Sequence, residues 1–181
     1  MTKRLTLLLV LVMIFSLTAC KEEITTVQDP AGQWTWAVTI GGDQMGKPDF
    51  QGSFTMTVLL NLQDGQFSMG VDEDALRKSA TFFAEELVAY MVIQGASRED
   101  AQSAVDQMDI VAMFTQSMAP FTSSGTYETK NDKLILISTN GQTATYTYAL
   151  SGDTMTLNPE SEAEQETLKA FGLKAMEMKR K

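Results

Sequence analysis

The chain has 181 residues, 44% of them apolar, with 23 acidic against 14 basic side chains, a net charge of −9, no histidine and one cysteine. Zinc and haem sites draw on histidine or several cysteines, a hydrolytic triad on an imidazole, and nucleic acid on basic surface, so none of these is expected. The single thiol also excludes a disulfide within the chain.

Lys3 and Arg4 precede an apolar run of thirteen residues, 5–17, which closes on Leu17-Thr18-Ala19-Cys20. The run is shorter than the roughly 20 residues a spanning helix takes, and small side chains stand before Cys20, as at the cleavage site of a secretion signal. Leu-Thr-Ala-Cys resembles the lipobox of bacterial lipoproteins. That resemblance implies cleavage between Ala19 and Cys20, a diacylglyceryl group on the Cys20 thiol, and acylation of the new amino group with a fatty acid such as palmitate. It places the protein in the bacterial cell envelope, anchored on the extracytoplasmic side of the plasma or outer membrane. A thioether-linked Cys20 is also inert to oxidation and pairing. Loss of residues 1–19 leaves 162 residues with 12 basic against 23 acidic side chains, a charge of −11. Residues 20–30 read as a polar tether reaching at most about 33 Å over ten residues, and residues 31–181 as one domain.

From Gln33 the apolar period is two. Trp34, Trp36, Val38 and Ile40 share one face of a first strand that Gly41-Gly42 ends. Phe54, Met56, Val58, Leu60 and Leu62 define a second strand, and the Asp64-Gly65 turn leads to a third through Phe67, Met69 and Val71. Residues 72–120 change period: Leu76, Ala80, Phe83, Leu87, Tyr90 and Met91 recur at helical spacing, capped by Asp72 or Asp74 and stopped at Gly95. Ser97 with Asp100 has capping-box spacing and opens a second helix, and a third short helix is predicted over 109–118 before Pro120. Strands return at 126–129, 133–139, 143–150 and around Met155 and Leu157. Ser161 with Glu164 repeats the capping-box spacing and predicts a short acidic helix up to Gly172, before a last strand over 175–179. The count is eight strands, mainly β with a two- to three-helix insertion of about 72–120 between strands 3 and 4.

Eight antiparallel strands opening on Gly32-Gln33-Trp34 resemble a lipocalin-like barrel, over about residues 31–71 and 122–181. The resemblance implies that Trp34 closes the barrel base under a basic partner, for which Arg180 is suitably placed in the sequence. The insertion departs from that family. Leu134 to Ile137 is apolar on both faces and Leu59 sits on an otherwise polar face, which predicts helices packed on that part of the wall and partly capping the barrel mouth.

The inward faces carry Trp34, Trp36, Phe54, Met56, Phe67, Met69, Tyr146, Tyr148, Met155 and Met178. Such a set fills a small barrel or lines a pocket for one small molecule, and Trp36, Met56, Tyr146 and Tyr148 are the candidate ligand-binding residues. Met108, Met113 and Met118 step by five and do not stack on one helix face, so methionine is read as packing, with no metal and no cofactor expected. The carboxylates of 72–74, 85–86 and 160–166 fall at helix starts and on exposed helix faces. No enzyme is expected. The leading reading is a lipid-anchored binding protein for a small apolar ligand or an envelope component. The alternative is a protein-interaction module that presents the helical insertion to an envelope partner.

Overall fold

Alternating apolar side chains become a closed barrel because each strand can bury one face only against the faces of the others. The computed structural model describes residues 28–117 and 121–181. The strands are β1 (Gly32–Gly41), β2 (Ser53–Gln63), β3 (Gln66–Val71), β4 (Ser123–Lys130), β5 (Lys133–Ser138), β6 (Thr143–Ser151), β7 (Thr154–Pro159) and β8 (Met176–Arg180). They pair antiparallel in chain order, and β1 closes on β8. Helices α1 (Glu73–Ile93), α2 (Arg98–Asp106) and α3 (Ile110–Ser117) lie between β3 and β4, and α4 (Glu162–Ala170) lies between β7 and β8. The eight strands and the mid-chain helical insertion are those the periodicity predicts.

The two ends of the barrel differ. At one end sit three tight hairpins, of which Asp64-Gly65 has φ of 51° and 73°, the doubly left-handed turn whose twist matches the strands it joins. The chain enters at this end, where Pro30 is buried. The long connections, and with them every helix of the described residues, gather at the other end, which is the mouth.

β4 begins three residues earlier than the alternation at 126–129 predicts. Ser123, Ser124 and Gly125 pair with Met69, Ser68 and Phe67, but small polar residues carry no apolar pattern by which to see it. Their pairing closes the wall where β3 ends.

The insertion reaches the mouth as expected, but the wall it packs on is a different one. α1 packs chiefly on β2 and the mouth, and the Leu134 to Ile137 segment is not the wall it covers. The backbone explains the choice. β2 pairs with β3 only from Val58 onward, so its first residues have an open edge. Ser79 Oγ of α1 accepts the Thr55 N–H at 2.7 Å, and the Asp72 N–H reaches the Thr57 carbonyl at 2.8 Å. The helix thus satisfies an edge whose unpaired groups would otherwise be costly to bury. Asp72 caps α1 through the Ala75 N–H, and Ser97 caps α2 through that of Asp100.

Candidate functional site

The base of the barrel is filled. Trp34, Leu60, Leu62, Met155 and Met178 are no more than 1% exposed. The Trp34 Nε1–H donates to the Pro30 carbonyl at 2.8 Å, and the Arg180 guanidinium lies 4.3 Å from the ring centroid. Gly32, at φ 139°, makes this possible: a Cβ there would stand 2.6 Å from an Arg180 nitrogen.

Of the four candidate ligand residues, the structure brings two to open cavities, Tyr146 at the mouth and Tyr148 at a depression of about 390 Å³ beside Asp29 and Tyr127 at the base. Met56 is enclosed in the core, Trp36 is buried edge-on to Phe121 at 5.7 Å, and Tyr148 points to the base, where its hydroxyl donates to the Gln28 carbonyl at 3.0 Å. Tyr146 alone lines the mouth. Ala19 and Cys20 lie outside the described residues, as does Met118.

At the mouth a cleft of about 480 Å³ opens between β3, β5, β6 and α4, with Met69, Leu136 and Ala144 as apolar lining and Ser138, Thr143 and Gln142 at its polar side. A smaller recess of about 80 Å³ continues beneath α4 between Phe121, Leu168 and Met176. Both share Met69, Tyr146 and Glu164. A different depression, of about 460 Å³, lies on the outer wall beside Leu59, Asn61 and Gly70, and leaves Leu59 without the helical cover expected of it.

The Tyr146 hydroxyl donates to Glu164 Oε1 at 2.6 Å. This overturns two expectations. Ser161 makes no side-chain cap bond, and Glu164 is not on a solvated helix face. A buried hydroxyl that needs a partner outcompetes the capping box, which would have held the carboxylate at the exposed helix start. The signal was present in the sequence: Glu164 stands four residues before Leu168, so the face of α4 that buries Leu168 also turns Glu164 inward.

Burial first, then the hydrogen bond from Tyr146 to Glu164 and the charge of that carboxylate, push the Tyr146 hydroxyl far above its usual range. Burial also raises Tyr148, with the negative charge of Asp29 as the next cause. The native state therefore keeps the Tyr146 proton at a pH where the unfolded chain loses it. Above pH ~10 this one group lowers stability by about 1.4 kcal/mol per pH unit, and below that its contribution is complete. Urea unfolding at pH 9, 10 and 11 is expected to give a shallower alkaline decline for Tyr146→Phe than for wild type. Equal slopes would mean that the hydroxyl ionises freely in the fold.

Among the described residues no three acidic side chains gather as a metal-ligating group, and no helix is long and apolar enough to cross a membrane. Compared with protein families, curated proteins and solved structures, the chain has no significant match.

Proposed function

We propose that this chain is a lipid-anchored, extracytoplasmic, non-enzymatic binding protein that takes a small, largely apolar ligand in the mouth of a lipocalin-like barrel. The observation that carries the reading is the mouth cleft itself. Its volume of about 480 Å³ falls inside the roughly 300–1,000 Å³ range of small-molecule sites, and it sets the apolar Met69, Leu136 and Ala144 against a polar side and the Tyr146–Glu164 pair. Below it the barrel is packed, so a ligand sits at the mouth and not in the barrel axis.

The anchor rests on the Leu17-Thr18-Ala19-Cys20 motif. A chain that enters at the closed end directs the mouth away from a tether attached there, toward the aqueous side of the envelope. At roughly 0.8 kcal/mol per buried methylene, two or three acyl chains hold such a body durably at a bilayer. Cys20→Ser is expected to move the protein out of the membrane fraction or to leave its signal uncleaved. Unchanged processing and retention would refute lipidation. The binding reading is tested with the neutral fluorophore N-phenyl-1-naphthylamine on protein in lipid nanodiscs, with empty nanodiscs as blank. Saturable binding that Ala144→Trp abolishes by filling the cleft is expected; no saturable binding, or binding indifferent to that substitution, would overturn it.

A second reading has its own support. Ile93 is 80% exposed and Met113 56%, with Phe82 and Met108 also exposed on the insertion, a distribution suited to an envelope protein partner. In that case Ile93→Asp with Met113→Asp would remove the partner and leave naphthylamine binding intact.

A further inference from the structure

Glu164 is only half satisfied. Its Oε1 takes the Tyr146 hydroxyl, while Oε2 is buried and has no hydrogen-bond partner among the described residues. A buried carboxylate oxygen left unmatched is costly, because it has surrendered water and gained nothing in return. Tyr146 has no second proton to give. At the rim Asn140 and Gln142 bond to each other, Asn140 Nδ2–H donating to Gln142 Oε1 at 3.0 Å and the Gln142 backbone N–H to Asn140 Oδ1 at 3.0 Å, while the hydroxyls of Thr122, Ser123, Ser138 and Thr143 also line the cleft. Among the described residues no lysine or arginine pairs with Glu164. Lys133 is held by Glu160 and Lys169 by Glu166, each at 2.7 Å. Glu164, which lines the cleft, thus has one acceptor without a donor and no cationic partner among the described residues, in a chain whose net charge is −9.

We propose that the mouth cleft is a site for an organic ammonium: a primary or secondary amine, protonated, on an apolar body. Glu164 Oε2 has no exposed surface, so binding turns the carboxylate toward the cleft; the ammonium N–H then donates to it and its charge neutralises the carboxylate. The apolar body lies on Met69, Leu136 and Phe121, which line the cleft and the recess beneath it. Charge-assisted hydrogen bonds of this kind are the strong ones, and they gain further where water is excluded. The net negative charge of the chain favours the approach of cations over that of carboxylates and phosphates. The structural arrangement thus selects by charge as well as by size.

This inference rests on the binding reading above, and the experiment separates the two. Hexylammonium, hexanol and hexanoate, equal in apolar length and different in head group, are titrated calorimetrically into the nanodisc-held full chain at neutral pH, beside N-phenyl-1-naphthylamine. Hexylammonium is expected to bind at least about tenfold more tightly than hexanol, with hexanoate weakest. Glu164→Gln is expected to bring the ammonium and the alcohol to within about threefold of each other while naphthylamine binding persists. Equal wild-type affinity for ammonium and alcohol, with naphthylamine still bound, would overturn the ammonium assignment and leave an apolar site. Failure of naphthylamine as well would overturn the site reading. The wild-type comparison needs no variant, so a Glu164→Gln protein that does not fold leaves the test standing.

Discussion

Phe54→Ala is expected to destabilise the folded chain by about 3–5 kcal/mol, close to the largest loss a single core truncation causes. Phe54 is fully buried, and it is the ring through which the barrel holds its helices. It stacks face to face on Phe114 of α3, with centroids 3.5 Å apart, and meets Phe83 of α1 edge-on at 5.9 Å. Phe83 in turn meets Phe50, and Phe50 meets Tyr90, at 5.5 and 5.4 Å. Removing the central ring leaves a cavity that neither a closed barrel wall nor a helix pinned by Ser79 can readily collapse into. Thermal unfolding should report a fall of about 10–15 °C for a domain of this size, and hydrogen exchange should rise first in α3. Phe82→Ala, one residue before Phe83 but 54% exposed, is the control and should stay within about 0.5 kcal/mol of wild type. If both substitutions cost the same, the aromatic array is not what fastens the insertion.

Trp34→Ala is expected to cost a similar 3–5 kcal/mol, at the opposite end of the barrel and for a different reason. The β1 and β8 strands pair at Trp34 with Arg180 and at Thr35 with Lys179, extended by the Lys181 N–H on the Gln33 carbonyl at 2.9 Å, so the seam that closes the barrel is short. Trp34 reinforces it from inside through its bond to Pro30 and from above through Arg180. Losing the indole removes buried area, frees a buried carbonyl and leaves the guanidinium without its aromatic surface. Urea unfolding followed by the fluorescence of Trp36 should show the lowered midpoint. Trp34→Phe keeps much of the apolar burial and should lose distinctly less, since what disappears is chiefly the indole hydrogen bond and ring area. A seam unaffected by Trp34→Ala would mean that the Thr35 and Lys179 pairing is sufficient on its own.

The strands were legible because burial on one face imposes a period of two, and Trp34, Phe54 and Tyr146 each stand in an unbroken alternation. The helix starts at Asp72 and Ser97 were legible because capping is a local bond between residues three apart. Ser161 had the same local credentials but makes no cap bond, and Glu164, the other half of the box, has its partner eighteen residues upstream in the buried hydroxyl of Tyr146. The start of β4 was hidden by the small polar residues 123–125, which pair through their backbone alone.

By itself, then, the sequence determined the order and kind of the elements, the inward faces of the strands, the acidic balance and the motif around Cys20, all of which are set by neighbours in the chain or by the chain's own periodicity. The tertiary structure alone decided three things. It laid α1 along the open edge of β2, because the unpaired Thr55 and Thr57 backbone needed partners that no pattern announces. It filled the base and left the cleft at the mouth, because side chains from eight strands converge there with different volumes. And it turned Glu164 from one charge in an acidic helix into the unmatched acceptor of that cleft, because burial and hydrogen bonding are properties of the assembled surfaces and not of the residue.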